Sequence, residues 1–291
     1  MTAGASSDER ARGRVLWQVA PAALLVLLFL VAPLAILVRV SLYATETSFS
    51  AAGGWSLRHF GRVLGDPLYL GILGETVVYG LIGALASLLI GFPVGYALAR
   101  ASPQARRWRL AVIILPLTLS LVVNVFGWLV ILGGTGLVNN LLIGLGLIGA
   151  PLKLLYSREA VLVVLVHTFL PFQILSIMSV VAQIEPALEE AAACLRANRW
   201  TTFRRVILPL AWPGIVSGST LVFILTVSAF VTPRLVGGPR VQMLGSVIYE
   251  QVLAGLNWPF GAAMSLVLLA LVLVLIGLSS VARLGTAARA P

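Results

Sequence analysis

The stretch that decides how this chain is interpreted spans residues 189–210 and reads EEAAACLRANRWTTFRRVILPL. It holds two glutamates and four arginines and ends in apolar residues, like most of the chain around it. Of the 291 residues, 59% are hydrophobic and 10% are charged, against roughly 25% charged in soluble domains. A water-soluble globule cannot hide so much apolar surface, so the sequence predicts an all-α integral membrane protein.

Six apolar stretches are long enough to cross a membrane as helices, which takes about 20 residues. They cover residues 15–40, 71–99, 109–133, 159–183, 210–232 and 258–283. Several contain proline, which buried membrane helices tolerate. The first stretch is longer than the core of a signal peptide, about 7–15 residues, and is expected to be retained. We predict one membrane domain over 15–283, flanked by tails at 1–14 and 284–291.

Arginine placement predicts the orientation of these spans. With the N-terminus inside, the cytoplasmic segments hold thirteen basic residues and the outer segments seven. The cytoplasmic set is Arg10, Arg12, Arg14, Arg100, Arg106, Arg107, Arg109, Arg196, Arg199, Arg204, Arg205, Arg283 and Arg289. Basic residues concentrate on the cytoplasmic side of membrane proteins, so both termini are expected there. The net charge of +10 follows from this topology, and nucleic-acid binding is not expected.

The outer segments carry short elements of their own. Residues 41–70 form a long loop with several aromatic residues. Residues 134–158 hold a Leu- and Gly-rich run that is too short to span, which predicts a short helix at the outer interface. Residues 233–257 open with a Gly/Pro turn and then show the pattern of a short amphipathic helix. Trp108 and Trp258 are interpreted as interface anchors.

The cytoplasmic segment 184–213 is unusually polar for this chain. From Ile184 to Ala197 the pattern is helical, with Pro186 in the first turn, where proline is tolerated. Glutamates lie near its start and arginines near its end, as the helix dipole favours. A second amphipathic segment follows, whose residues available for burial are Trp200, Phe203, Val206 and Ile207. Such a helix, tied to a span at each end, can transmit motion from a partner; a solvated loop at the interface is the alternative.

The spacing in this segment resembles the Glu-Ala-Ala loop of membrane subunits of binding-protein-dependent ABC importers. The pattern there is Glu-Ala-Ala, three residues, Gly, nine residues, an aliphatic residue, one residue, Leu-Pro. Here Glu190 to Ala192 begin it and Leu208-Pro209 end it. The glycine position holds Arg196, where a left-handed backbone would cost about 1 kcal/mol. The turn is therefore expected to be built differently or to be shifted to Asn198, which tolerates that conformation better.

The resemblance covers nearly the whole chain. The stretches that carry it are IGFPVGYALAR at 90–100, LPLTLSLVVNVFGW at 115–128, GLVNNLL at 136–142, HTFLPFQILSI at 167–177, FVTPRLVGG at 230–238 and NWPFGAA at 257–263. They are similar to the spermidine/putrescine permease branch. This implies a type I ABC importer permease fold and a pathway for a polyamine, such as spermidine or putrescine, or for a related small solute.

The resemblance also implies partners and a docking loop. The partners are two ABC ATPase subunits that bind ATP and Mg, a second, similar permease and an extracytoplasmic solute-binding protein, assembled in a bacterial inner membrane. The implied docking residues are Glu189, Glu190, Ala191, Ala192, Ala193, Leu195, Arg196, Ala197, Phe203, Val206, Leu208 and Pro209. The sequence has no phosphate-binding loop of the G-x-x-x-x-G-K-[ST] type and no metal-ligand spacing. We therefore expect no catalysis, cofactor or metal in this chain.

Polar residues within spans are costly and often functional, so they are candidates for the solute pathway. Glu75 can attract a cation, or can face headgroups and water. Asn124 with Trp128 can line the pathway, or Asn124 can hydrogen-bond between helices. His167 can face the pathway, or can be a packed neutral histidine bonded to a carbonyl. Gln173 is interpreted as a contact between helices.

Two other classes of protein are alternatives to an importer subunit. A secondary transporter or channel that works without ATP would need an ion-coupling site with buried acids, and the spans hold no buried pair of acids. A membrane enzyme acting on lipids would need a catalytic constellation, and none is visible. Only the importer interpretation explains segment 184–213.

Overall fold

The computed structural model describes residues 5–45 and 54–287, with side chains described at residues 20, 21, 24–45 and 54–277. The α-helices are α1 Ala5–Ser41, α2 Arg58–Gly65, α3 Pro67–Ala99, α4 Pro103–Thr118, α5 Leu121–Leu132, α6 Leu137–Gly144, α7 Arg158–Val181, α8 Pro186–Cys194, α9 Arg199–Thr202, α10 Leu208–Val227, α11 Leu244–Tyr249 and α12 Trp258–Ala287. A 3₁₀ turn covers Gly238–Arg240, and single π-helical turns cover Phe203–Ile207, Pro233–Gly237 and Glu250–Ala254. Within the described residues, six helical stretches are long and apolar enough to cross a membrane, which confirms the all-α, six-span prediction.

Helices α3, α7 and α10 form the centre of the molecule. Small residues on α3 bring the helix backbones close together, as is common inside membranes. A Cβ atom on Gly80 would lie 2.6 Å from the ring of Phe223 on α10. Further along α3, a Cβ atom on Gly95 would lie 2.9 Å from the backbone oxygen of Ile174 on α7. The three helices therefore pack with no room for larger side chains at these crossings.

The outer helices pack more loosely on this centre. The C-terminal end of α1 contacts the start of α12, where Val40 and the following Tyr43 cluster with Ala262. The preceding part of α1 is open, and Phe29 is 76% exposed. Short helix α2 covers the start of α12 through Val63, which clusters with Phe260. An exposed apolar face of this kind is expected for a helix that meets lipid or another membrane subunit.

The third predicted span is not one continuous helix. Residues 109–133 are divided between α4 and α5, because Leu119 and Ser120 adopt an extended backbone. Pro116 has no N–H to donate to the preceding turn. The Thr118 hydroxyl donates to the carbonyl of Leu115 at 2.7 Å, which is the carbonyl that the next N–H of a continuing helix would use. The prediction of an unbroken span was wrong for this reason.

The segments between the later spans contain the short helices that the sequence predicts. Residues 134–158 contain α6 and residues 233–257 contain α11. Residues 46–53 of the first outer loop lie outside the described residues. The predicted tails 1–14 and 284–291 lie partly outside them as well; their described parts continue α1 and α12.

Candidate functional site

The segment between α7 and α10 is anchored in the core at both ends. Ile184, just after α7, is 7% exposed and clusters with Ile177 and Ala211. Ile207, just before α10, is 4% exposed. Between them α8 covers Pro186–Cys194, inside the helix that the sequence predicts from Ile184 to Ala197. The segment is therefore held at its base, and only its middle projects from the helices.

Glu189 fastens α8 to the end of α3. Its carboxylate accepts a hydrogen bond from the Tyr96 hydroxyl at 2.6 Å and from Nε of Arg100 at 2.9 Å. A terminal nitrogen of Arg100 also pairs with this carboxylate, and the other donates to the carbonyl of Ile184 at 2.9 Å. The side chains of Arg100 and Glu189 are only 21% and 23% exposed. Both of the Arg100 nitrogens that contact Glu189 reach one carboxylate oxygen, and the Tyr96 hydroxyl reaches the other. Donors on both oxygens fix the position of the carboxylate, so α8 is held against the end of α3.

The residues predicted to dock a partner divide into two groups by exposure. The exposed group is Glu190, Ala191, Ala193, Leu195, Arg196 and Pro209. The half-buried group is Glu189, Ala192, Ala197, Phe203, Val206 and Leu208. Leu195 is 84% exposed, which is unusual for a leucine at the tip of a polar segment. The exposed group thus offers a mainly apolar face that carries one acidic and one basic residue, Glu190 and Arg196.

Trp200 is more exposed than the sequence predicts. Its side chain is 66% exposed and stacks on Phe203, with the ring centroids 5.5 Å apart. Phe203 in turn meets the edge of Phe92 on α3 at 5.4 Å. Trp200 lies on the four-residue helix α9 and stays exposed, whereas Phe203, in the turn directly after α9, places its ring against α3.

The turn between α8 and α9 lies at Arg196, whose φ is +59°. The expectation that the turn avoids this residue was wrong. The Arg196 N–H donates to Ala193 at 2.9 Å and the Ala197 N–H to Ala192 at 3.0 Å, the pair of bonds that closes a helix with a left-handed residue. Asn198 is extended instead and caps α9, since its side chain accepts from the Thr201 N–H at 2.7 Å.

Replacing Arg196 by glycine is expected to relieve the strain at this turn by about 1 kcal/mol, because glycine adopts a left-handed backbone without steric cost. Hydrogen exchange of the Ala197 amide, which closes the turn, should slow by roughly fivefold. Arg196→Ala is the matched control, because alanine loses the charge but keeps the strain. Equal protection in the two variants would show that the charge, not the backbone, sets the stability of the turn.

Two of the pathway candidates lie in direct contact. The indole N–H of Trp128 donates to Nδ1 of His167 at 3.2 Å, and the two rings meet edge to face at 5.0 Å. An indole nitrogen can only donate, so a neutral His167 carries its proton on Nε2. The partner is an indole rather than the carbonyl that the packed alternative assumed. Asn124 lies one helical turn before Trp128 and is half-buried.

Glu75 has a different environment. It forms an ion pair with Arg158 at the start of α7, and the side chains are 39% and 64% exposed, Glu75 being the more buried. Gln173 is wholly buried against Gly91 and Gly218. Its amide has no hydrogen-bond partner among the described residues, so it contacts α3 and α10 by packing.

The sequence interpretation did not include Arg100 and Tyr96, which hold the predicted docking segment in place. A signal for Arg100 was available, because the arginine ends the second span on the same side of the membrane as segment 184–213. Nothing in the sequence said which of the two adjacent glutamates would turn inward.

Comparison with known proteins places this geometry in a family context. The family model for the binding-protein-dependent transport system inner membrane component matches residues 91–286. The spermidine/putrescine transport system permease protein PotB of Haemophilus influenzae is 36% identical over 211 residues, 72% of this chain and 74% of that protein. PotB of Escherichia coli K12 is 32% identical over 241 residues, 83% of this chain and 87% of that protein.

Solved structures are similar in fold. A bacterial alginate ABC transporter in complex with a periplasmic protein contains a chain with a TM-score of 0.73 and 19% identity, over 94% of each chain. A chain of the MetNI methionine ABC transporter has a TM-score of 0.57 and 20% identity, over 76% of this chain and 99% of that one. The type I importer permease fold is thereby confirmed, and the docking segment α8–α9 falls within the matched family region.

Proposed function

The chain belongs to the family of binding-protein-dependent transport system inner membrane components, and from this we propose that it couples solute passage to a separate ATPase through α8 and α9. The observation that carries the proposal is the tether of Glu189 to Arg100 and Tyr96. A partner that moves α8 moves the end of α3 with it. Since α3 packs tightly on α7 and α10, the push would reach the centre of the membrane domain.

The solute proposed is a polyamine such as spermidine or putrescine, or a related small solute. The support is the naming of the PotB relatives, which cover most of this chain. Asn124, Trp128 and His167 supply amide and aromatic groups suited to a flexible amine, because cations are attracted to aromatic faces. Glu75 is the acidic candidate, and its ion pair with Arg158 would have to open for a cation to replace the arginine.

The assembly proposed follows from the family. Two ATPase subunits would bind ATP and Mg, and a second, similar permease would complete the pathway. An extracytoplasmic solute-binding protein would deliver the solute, and both termini would lie in the cytoplasm of a bacterial cell. The PotB relatives are transport permeases rather than enzymes, and we propose that ATP hydrolysis resides wholly in the partner subunits.

Capture of the ATPase tests the coupling proposal. The native chain, purified in detergent after co-expression with a candidate ATPase subunit, is expected to retain that subunit. Glu190→Arg should lose most of the ATPase, because it reverses a charge on the exposed face of α8 while leaving the Glu189 tether in place. Glu159→Arg, an exposed charge reversal at the start of α7, is the control and should capture normally. Loss in both variants, or in neither, would overturn the assignment of the docking face.

Uptake kinetics test the role of Glu75. Glu75→Gln is expected to lower polyamine uptake at least several-fold if the carboxylate contacts the cation, with the larger change in apparent affinity. Arg158→Gln is the matched variant: it frees the carboxylate and should keep or raise uptake. If Glu75→Gln transports with unchanged kinetics, the carboxylate has no part in the pathway.

A further inference from the structure

The beginning of α4 is strongly basic and lacks acidic residues. Arg106, Arg107 and Arg109 surround Trp108 in its first two turns, and the helix PQARRWRLAVIILPLT contains no Asp or Glu. The helix has no fully buried residue, and Trp108 is 74% exposed. An exposed tryptophan among arginines is typical of a position where a helix enters the headgroup region of a bilayer.

The arginines in this region differ in their hydrogen-bond and ion-pair partners. Arg100 is committed to Glu189, as described above. Arg106 donates to the carbonyls of Ala99 and Ala101 at 3.1 and 3.4 Å and so holds the turn before α4. Arg107 and Arg109 are exposed and have no ion-pair partner in the part of the chain that the structure describes. Two guanidinium groups are therefore available to an anion beside Trp108.

Two cavities share Trp108 as a wall. The first, about 590 Å³, lies between α3 and α4. Its lining is apolar except for Arg109, and it includes Val94, Ala97 and Val112. The second, about 670 Å³, lies at the start of α4 and is lined by Pro103, Gln104 and Arg107 together with Trp108. An apolar trough and a basic recess thus meet at one indole ring.

We propose that these two cavities bind one anionic phospholipid. An acyl chain occupies the trough between α3 and α4, and the phosphate meets Arg107 and Arg109, with Trp108 at the boundary between tail and headgroup. Apolar burial and charge attraction are the two terms that hold such a lipid. The placement in the cytoplasmic leaflet rests on the proposed function, because α4 starts on the same side as α8; the binding itself does not.

A lipid explains the combination of features better than a protein partner does. A second membrane subunit packed on α4 would cover the trough, but it would need acidic residues to neutralise two arginines. A second alternative is that the arginines serve only to orient the chain in the membrane, but that role does not require a cavity beside them. The anionic amphiphile matches the apolar trough, the two free guanidinium groups and the exposed indole at the same time.

Native mass spectrometry of the full chain, purified with its co-expressed partner subunits, tests the proposal. The complex is stripped of lipid with detergent and titrated with phosphatidylglycerol or with zwitterionic phosphatidylethanolamine. The native complex should bind one molecule of phosphatidylglycerol more tightly than the further molecules that bind during the titration. Each arginine near an anionic lipid contributes about fivefold in affinity, so Arg107→Gln with Arg109→Gln should weaken that binding by roughly 25-fold. Val112→Trp, which fills the trough, should abolish it.

Matched controls lie elsewhere on the chain. Arg240→Gln removes an exposed arginine from the outer side, and Val130→Trp adds an indole to α5, where the valine is 73% exposed; both should bind the lipid as the native chain does. Equal binding of the two lipids, or native binding by the double arginine variant, would overturn the proposal. If the isolated chain binds the lipid but the complex does not, then a partner subunit, and not a lipid, covers this face in the complex, and the proposal is overturned. ATPase capture is measured on the same samples, so a failure of the coupling proposal would be seen separately.

Discussion

Replacing Gly95 by leucine is expected to prevent stable packing of α3 on α7 and to be the most damaging single substitution considered for this chain. A Cβ atom at this position would already lie 2.9 Å from the backbone oxygen of Ile174 and 3.1 Å from the Cβ of Ile177. Neither atom belongs to the flexible end of a side chain, so the helices must separate. Overpacking typically costs about 1–3 kcal/mol and occasionally more, and contact with a backbone atom predicts the upper part of that range.

Gly74→Leu is the matched control, because it lies on the same helix and a Cβ atom there has open space around it. It should be neutral or slightly stabilising, since leucine favours the helix over glycine by up to about 1 kcal/mol. The measurement is the apparent melting temperature of the purified chain in detergent, followed by loss of the monodisperse fraction. Gly95→Leu should melt well below the native chain. Equal melting temperatures for the two leucine variants would contradict the close packing of α3 on α7.

The central helices show what the sequence could and could not predict. Their apolar length identified α3, α7 and α10 as spans to within a few residues, because hydrophobic length is set by the bilayer and is visible in composition. The glycines that bring them together were not recognised, although Gly83, Ser87, Gly91 and Gly95 recur every fourth residue along α3. Such spacing says that a helix has a small-residue face, but not which helix that face meets.

The docking segment shows the same limit. The helical pattern located α8 to within a few residues, and the spacing of the motif identified Arg196 as the unusual residue. The backbone at Arg196 was misjudged because a local penalty of about 1 kcal/mol was weighed without the two hydrogen bonds that the turn makes. The pairing of Glu189 with Arg100, and of Glu75 with Arg158, joins residues 89 and 83 positions apart. Contacts of this kind depend on the packed arrangement of spans.

Glu189→Ala is expected to uncouple transport from ATP hydrolysis without removing the ATPase. The substitution leaves Arg100 without its carboxylate and frees the Tyr96 hydroxyl, while alanine keeps α8 helical. Hydrogen bonds to charged groups contribute about 1.5–3 kcal/mol each when buried, and the partial exposure of this pair places its loss at the lower end. Polyamine uptake should fall at least tenfold, because α8 can then move without α3. The measurement is uptake per ATP hydrolysed in vesicles that contain the assembled complex.

Glu190→Ala separates this effect from docking, since it removes the neighbouring carboxylate from the same helix but leaves the tether intact. It should weaken ATPase capture and leave the hydrogen exchange of the α8 amides unchanged, whereas Glu189→Ala should speed that exchange and retain capture. Arg100→Gln should uncouple like Glu189→Ala, and the double variant should be little worse than either, because both remove the same contact. If Glu189→Ala instead loses the ATPase, or if its uptake per ATP equals that of the native chain, then Glu189 does not link α8 to α3 in the working transporter. A native value for Arg100→Gln alone would leave Tyr96 as the group that holds the carboxylate in place.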